Sequence, residues 1–294
     1  MDGVINLNKP AGWTSHDVVA KARGLLKEKQ IGHLGTLDPL ATGVLPLAVG
    51  TATRLVEFAS YSKEYVTTCL LGRTTDSCDV SGKTLVEKPT QALLESDIRR
   101  EVLNLKDITE QVPPMVSAVK VGGQKLYELA RKGEVVERQA RPIRLEEIEC
   151  LSISGSRVTF RVVCSAGTYV RVLCQSLGEV LGVGGCMETL ERTQVGPFKI
   201  AQALGLEDVK KKMEEGSLSD MLLPSSLLVG HLPQVILEQK ALEILCHGVV
   251  QSVKGLLSGP VRVLNDQGRL CAIGEVESPE ELKPRKVFGV EGLF

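Results

Sequence analysis

The order of strand-like and helix-like segments limits the possible folds of this chain more than any other feature of its sequence. Residues 4–7 predict a short strand, and Thr14 with Asp17 predicts a capping box that begins a helix. After these, the two kinds of pattern follow one another without regular alternation, which favours an α+β domain over a doubly wound one. The strand patterns cover residues 65–71, 148–153 and 158–163, and the helical patterns cover residues 91–105, 125–132 and 169–181.

The pattern changes near Leu232, where a second and smaller module is predicted to begin. A short helix at residues 240–245 precedes short strand patterns separated by glycine turns. Among them, residues 261–264 and 270–276 flank a turn, as the two strands of a hairpin do. We therefore predict a first domain of residues 1–231 and a mostly β C-terminal module of residues 232–294.

Residues 31–50 are rich in glycine and proline and are predicted to be mainly loop, ending in an apolar stretch at 44–49. Within them, Asp38 is flanked by glycines and followed by a proline, an arrangement that suits close approach of a carboxylate to a ligand. Residue types alone still favour an ordinary turn aspartate here. They leave both interpretations open.

The overall charge gives no argument for or against nucleic-acid binding. The chain of 294 residues carries 35 basic and 36 acidic side chains, for a net charge of -1. Locally, residues 120–144 hold seven basic and three acidic side chains. Such a stretch can contact RNA, although a solvated helix face has the same composition.

The sequence lacks the common cofactor signatures. It contains no phosphate-binding loop and no nucleophile elbow, and the glycines at 182–185 follow a helix rather than a strand. The four histidines are scattered and the eight cysteines form no close pair, so we expect no metal and no cofactor. Residues 1–10 lack the apolar core of a signal peptide, and no apolar run is long enough for a membrane span. These features predict a cytoplasmic protein with free thiols and no membrane association.

Five blocks of sequence together resemble the TruB family of tRNA pseudouridine synthases. The most specific is residues 35–43, which match the family's G-x-L-D-P-x-A-x-G core around Asp38. The others occur in the family's order, so that the likeness spans about the first 200 residues. Val116 and Ala166 depart from the pattern, standing where the family usually has an aromatic residue and often has a lysine. The remaining blocks are residues 8–12, 63–82, 113–131, and 164–171 with 190–193.

The resemblance implies roles for individual residues of the reaction. Asp38 matches the family's catalytic carboxylate, and Arg171 matches the arginine that pairs with it and favours its charged form. Tyr65 matches the active-site tyrosine expected to stack on the target base. Leu190 is expected to supply an apolar wall of the uracil pocket.

Other residues are expected to bind the RNA. His33 matches the histidine that fills the space left when the target base is extruded from its stack. Lys9, Lys63 and the basic residues between Lys120 and Arg144, within a predicted RNA-binding insert at 113–144, are candidates for phosphate contacts.

Taken together, the resemblance implies a pseudouridine synthase-like catalytic domain, with a mixed and mainly antiparallel sheet, followed by a PUA-like RNA-binding module. The implied reaction converts uridine 55 in the T loop of transfer RNA to pseudouridine. We expect a monomer that needs no protein partner. Two rival interpretations stay open: a synthase guided by small RNAs, which the bacterial-type block at 113–131 disfavours, and an RNA chaperone that assists tRNA folding without catalysis.

Overall fold

The computed structural model describes residues 1–117, 119–253, 255, 258–278 and 281–288. Ala118 of the predicted insert and residues 289–294 of the predicted C-terminal module therefore lie outside the described part of the chain. The same holds for four side chains of the predicted basic insert, those of Lys120, Lys125, Tyr127 and Arg131.

Helices and strands occur in an irregular order along the chain. The helices are α1 (Ser15–Leu26), α2 (Glu95–Asn104), α3 (Leu126–Arg131), α4 (Val170–Val180), α5 (Leu206–Glu214) and α6 (Gln239–Cys246). The strands are β1 (Gly3–Lys9), β2 (Ile31–His33), β3 (Thr42–Val49), β4 (Lys63–Leu71), β5 (Arg73–Thr75), β6 (Thr84–Glu87), β7 (Glu110–Gln111), β8 (Lys120–Val121), β9 (Gln124–Lys125), β10 (Arg141–Pro142), β11 (Leu145–Ser154), β12 (Arg157–Cys164), β13 (Gly185–Val195), β14 (Phe198–Lys199), β15 (Gln234–Ile236), β16 (Gln251–Ser252), β17 (Gly259–Leu264), β18 (Leu270–Ser278) and β19 (Glu281–Val287).

The larger sheet has the strand order β1-β3-β13-β4-β12-β11, with β2 added on β3 and β14 on β13. Strands β3 and β13 run parallel, and the other pairs are antiparallel. The predicted α+β fold with a mixed, mainly antiparallel sheet is therefore confirmed. Long strand β13, which no strand pattern predicted, lies near the middle of this sheet.

Both faces of the sheet are buried at β3. Leu45 and Leu47 of β3 face a core formed with α1, α2, α4 and α5. Val44 and Ala48 of the same strand face a second core, formed with 3-10 helices at Gly50–Phe58 and Ser225–Val229. A strand covered on both sides carries a continuous apolar run instead of alternation, as β3 does.

The prediction that residues 31–50 are mainly loop is wrong, because β2 and β3 lie within them. Glycine and proline suggested a loop, but both residue types stand inside β3. Pro46 has no N–H to donate, and its carbonyl accepts a hydrogen bond from Leu34 N at 3.0 Å. Gly43 has φ +105°, and a Cβ there would lie 2.2 Å from the carbonyl oxygen of Arg192 on β13.

Gly43→Ala is therefore expected to destabilise the protein by at least about 2 kcal/mol, because the backbones of β3 and β13 leave no room for a methyl group. Gly24→Ala is the matched control, since Gly24 lies in α1 and nothing is within 4 Å of its Cβ position. That change should stabilise the helix by about 0.5–1 kcal/mol. Urea unfolding measures both, and equal stabilities of the two variants would contradict the close approach.

The C-terminal strands form a separate five-stranded sheet of order β15-β17-β18-β19-β16, and α6 packs on it. Strands β17 and β18 are paired antiparallel, as the predicted hairpin requires. Ile273 of β18 is fully buried and belongs to the second core of the larger sheet, which also contains Leu55 and Phe58. This curled sheet is compatible with a PUA-like module. No helix in the described ranges is long and apolar enough to cross a membrane.

Candidate active site

A cavity of about 220 Å³ lies where the loop between β2 and β3 meets α4 and the strands β4 and β13. The sequence-predicted residues Asp38, Tyr65, Arg171, Leu190 and Lys63 all line it. They come from four separate segments of the chain, so only the folded protein brings them together. The other lining residues are Thr36, Leu37, Ser117, Gly167, Thr168, Tyr169 and Val170.

The loop that carries Asp38 is fixed by the N-terminal end of α1. The buried hydroxyl of Ser15 accepts a hydrogen bond from Leu37 N at 2.8 Å and donates to the Leu37 carbonyl at 3.1 Å. Helix α1 itself begins at the predicted capping box, in which Thr14 and Asp17 bond each other's backbone N–H. A rigid helix end thus sets the position of the Asp38 backbone.

Lys9 does not reach the surface, in contrast to its expected contact with phosphate. Its side chain is 0% exposed, and Nζ donates to the carbonyls of Trp13 at 2.7 Å, Pro10 at 2.9 Å and Pro39 at 3.3 Å. An ammonium group with three carbonyl partners is already satisfied. Lys9 therefore links the turn at residues 10–13 to Pro39, the residue after Asp38, and we assign it this structural role.

Arg171, in the first turn of α4, holds the carboxylate of Asp38 with two of its nitrogens. Its Nε lies 2.9 Å from Oδ2, and its Nη2 donates to Oδ1 at 3.3 Å. The arginine is 4% exposed and is therefore not a surface residue. Nη2 also donates to the Val116 carbonyl at 2.9 Å, and this bond ties the predicted insert to the same guanidinium.

Asp79 is a second carboxylate of this network, and sequence reasoning gave it no role. Its Oδ2 lies 3.6 Å from Arg171 Nη1, which also donates to the Ser77 carbonyl at 3.2 Å. Asp79 is 4% exposed. It stands in the same family block as Tyr65, and that block was the available signal. A buried arginine between two carboxylates orients both of them.

The surroundings of Asp38 act on its protonation in opposite directions. Burial raises the pKa of Asp38 above its usual range, Arg171 lowers it, and Asp79 raises it. Burial is the largest of these effects, and the net pKa is raised. The guanidinium therefore offsets part of the cost of keeping a buried carboxylate charged.

Tyr65 and Leu190 form the floor of the cavity on neighbouring strands. Tyr65 on β4 is directly opposite Arg192 on β13, and Leu190 is opposite Thr67. Tyr65 and Leu190 are each 7% exposed. Burial raises the pKa of Tyr65, so its phenol is protonated near neutral pH.

Lys63 lies two residues before Tyr65 and on the same face of β4, in accord with the period of a strand. It lines the cavity, and burial followed by the charge of Arg192 lowers the pKa of Lys63 to about 8. At pH 7 it is still mainly protonated.

His33 lies beside a wider cavity of about 760 Å³ that shares Asp38 and Ser117 with the first. Its ring packs edge-on against His16, with 5.8 Å between centroids. Burial and the neighbouring His16 lower the pKa of His33 to about 4, so the ring is neutral at pH 7. The insert forms the opposite wall of this cavity through residues that include Val116 and Val135.

Three basic residues of the insert whose side chains are described are exposed: Lys132, Arg141 and Arg144. Arg144 bonds Glu146 at 2.8 Å. Arg138 is half-buried and donates to the Pro113 carbonyl at 3.1 Å.

Within the described residues, no group of three or more His, Cys, Asp or Glu could hold a metal ion. All eight cysteines are free.

Two family models match adjacent parts of the chain. Residues 23–170 match the TruB family pseudouridylate synthase (N terminal domain), and residues 171–229 match the tRNA pseudouridylate synthase B C-terminal domain. Together they cover the Asp38 loop, both strands of the cavity floor and α4.

Curated relatives and solved structures match nearly the whole chain. It is 41% identical to the tRNA pseudouridine synthase B of Heliobacterium mobile, over 98% of this chain and 95% of that protein. The enzyme of the same name from Bacillus licheniformis is 42% identical over 98% and 97%. A structure of an H/ACA RNP bound to a substrate RNA containing 2′-deoxyuridine matches with a TM-score of 0.77 and 29% identity, over 99% of this chain and 86% of that one. A Cbf5-Nop10-Gar1 complex matches with a TM-score of 0.77 and 31% identity, over 97% and 84%.

Proposed function

The chain belongs to the TruB family of pseudouridylate synthases, and from this premise we propose that it isomerises uridine 55 in the T loop of transfer RNA with Asp38 as its catalytic carboxylate. As a family member it is an isomerase that converts uridine in transfer RNA to pseudouridine. The position of the uridine and the roles of individual residues belong to the proposal.

The observation that carries this proposal is the two-point contact of Arg171 with Asp38 at the wall of the cavity, 2.9 and 3.3 Å long. It leaves the carboxylate aimed at a small site whose floor is Tyr65 and Leu190. A uracil ring that stacks on the phenol would place its sugar toward the carboxylate. Cleavage of the bond between N1 and C1′ needs a group of this kind beside the sugar.

The target base must leave its stack before it can enter this cavity, at a cost of a few kcal/mol. We propose that the neutral ring of His33, in the wider adjoining cavity, takes the place that the base leaves. The exposed arginines and lysine of residues 113–144 would contact phosphates of the T stem-loop. The C-terminal module of residues 232–294 would add a second RNA-binding surface to the catalytic residues 1–231.

The purified protein alone is expected to form pseudouridine at position 55 of unmodified transfer RNA in a buffer containing EDTA. No added nucleotide, metal or guide RNA should be needed, because Asp38, Arg171 and Tyr65 supply the charged and stacking groups of the site. Chemical mapping of pseudouridine in the RNA measures this. Dependence on a guide RNA or on a metal would contradict the proposal.

The same preparation tests the rival of an RNA chaperone. A chaperone would accelerate tRNA folding and form no pseudouridine. We further propose a monomer without an obligatory protein partner, in the cytoplasm, where its RNA substrate and eight reduced thiols are both expected. Sedimentation of the active protein tests the first of these, since activity confined to a larger complex would contradict it.

A further inference from the structure

Among the described residues, two cations near the floor of the cavity have no acidic partner. Arg192 on β13 is fully buried, and its Nη1 lacks a hydrogen-bond partner among the described residues. Its other nitrogens donate to backbone carbonyls, Nε to Val44 at 2.7 Å and Nη2 to Gly35 at 3.0 Å. The described salt bridges include none to Arg192 or Lys63.

These two cations lie close together. A Cβ on Gly35 would be 3.1 Å from Lys63 Nζ and 3.7 Å from Arg192 Nη1. Both groups therefore meet at the same glycine, where the missing side chain leaves room for them. Tyr65 lies two residues after Lys63 on the same face of β4 and is directly opposite Arg192 on β13.

The acidic residues adjacent in sequence do not compensate this charge. Glu64 and Glu191 alternate with the cavity residues and so point to the other face of the sheet. There Glu64 bonds Arg161 and Thr193. Asp38, the carboxylate in the cavity, is already held by Arg171.

Burying cations without a counter-ion is costly, and such groups are normally paired. An uncompensated cation pair at the end of a substrate cavity is suited to a ligand that brings or develops negative charge there. The uridine base is neutral when it enters. It becomes negative only during the reaction.

We propose that Lys63 and Arg192 form a cationic wall that stabilises the negative charge carried by the uracil ring when its bond to C1′ breaks. This inference rests on the proposed function. Lys63 lines the cavity and would contact the ring. Arg192 lies behind the cavity lining, directly opposite Tyr65, and would position that tyrosine and add the second positive charge of the wall.

The electrons of this step balance within the site. The pair of the N1–C1′ bond stays on the ring and spreads over N1 and the two carbonyl oxygens. C1′ either bonds to a carboxylate oxygen of Asp38, or its neighbour C2′ gives a proton to that carboxylate. In both cases one negative charge moves from Asp38 to the base. It thus moves from Arg171 toward Lys63 and Arg192. When C5 then bonds to C1′, Asp38 recovers its charge, C5 loses its proton and N1 takes one up.

Lys63→Met tests the wall in the complete protein, with Lys199→Met as the control because Lys199 is exposed on neighbouring β14. The single-turnover rate at saturating enzyme should fall about 100-fold for Lys63→Met, while the Kd for tRNA stays within about twofold. Lys63→Arg keeps the charge and should recover most of the rate. Lys199→Met should react like the wild type.

A substrate with 5-fluorouridine at the target separates charge stabilisation from a structural role. Fluorine at C5 withdraws electrons and stabilises the uracil anion by itself, so the defect of Lys63→Met should be smaller on this RNA. Consumption of 5-fluorouridine, measured in nuclease digests, gives the rate. Arg192→Gln should likewise show a smaller rate defect on the 5-fluorouridine RNA, provided that its melting temperature shows that the variant is folded.

Two results would overturn the inference. In the first, Lys63→Met reacts at a near-normal rate but binds tRNA more weakly, and the slope of log K against log salt concentration falls by about one. Lys63 would then be a contact to a backbone phosphate. Equal rate losses on both substrates with a lower melting temperature would make the pair structural. If the wild type formed no pseudouridine at all, the proposed function would fail instead.

Discussion

Asp38→Asn is expected to abolish pseudouridine formation while tRNA binding stays nearly unchanged. The amide has almost the same shape as the carboxylate, but it can neither attack the sugar nor accept a proton from it. We expect the single-turnover rate to fall by about four orders of magnitude or more, as for other essential catalytic groups. Filter binding should show little change in Kd, because the proposed phosphate contacts lie elsewhere.

Asp97→Asn is the matched control. Asp97 also accepts a hydrogen bond from an arginine, Arg100, at 2.8 Å, but this pair lies exposed on α2. Its loss should leave rate and binding unaltered, since exposed ion pairs contribute little. Turnover of Asp38→Asn above that of a mock preparation would argue against a catalytic carboxylate at this position.

The structure changes the physical account of Asp38 given by the sequence. The match to the family suggested a carboxylate kept charged by its arginine, whereas burial is the stronger influence and raises the pKa of Asp38. A partly destabilised anion is a better base and nucleophile than a fully stabilised one. Arg171 therefore aims the carboxylate and favours its ionised form without fully compensating the lost water.

Local chemistry made some elements predictable. The spacing of Thr14 and Asp17 was enough to place the start of α1, because a capping box involves only residues three apart. Strand β3 was missed because its constraint is distant. Gly43 is required by the backbone of Arg192, almost 150 residues later, and no local pattern reveals this contact.

The candidate active site was predictable only through the family resemblance. Asp38 and Arg171 are 133 residues apart, and residue types alone favoured an ordinary turn aspartate. The resemblance identified these residues but not what lies around them. Lys9 stands in a family block and was assigned to phosphate, yet the fold buries it among carbonyls. Asp79 and Arg192 also stand in such blocks, but only the structure indicates a role for them. Both are buried; Asp79 shares Arg171 with Asp38, and Arg192 Nη1 has no hydrogen-bond partner among the described residues.

Arg171→Lys is expected to lower the single-turnover rate about 100- to 1,000-fold although the positive charge is retained. The guanidinium contacts both oxygens of Asp38 and donates to the carbonyls of Ser77 and Val116. Lysine offers one nitrogen on a flexible stem and cannot serve these four acceptors at once. Arg171→Ala should do at least as much damage, since it also removes the charge that keeps the pKa of Asp38 from rising further.

The control for Arg171→Lys is Arg157→Lys, because Arg157 also holds a carboxylate at two points, Glu188 at 2.7 and 2.8 Å, but on the exposed side of the sheet. That variant should react like the wild type. For Arg171→Lys the loss should appear in the rate and not in tRNA affinity, because the guanidinium is 4% exposed and each of its three nitrogens already contacts a protein acceptor. An arginine that served to bind RNA would give the opposite result, with weaker and more salt-sensitive binding and a normal rate at saturation. Measuring both quantities at two salt concentrations decides between these roles, and a wild-type rate with weakened binding would remove Arg171 from the catalytic residues.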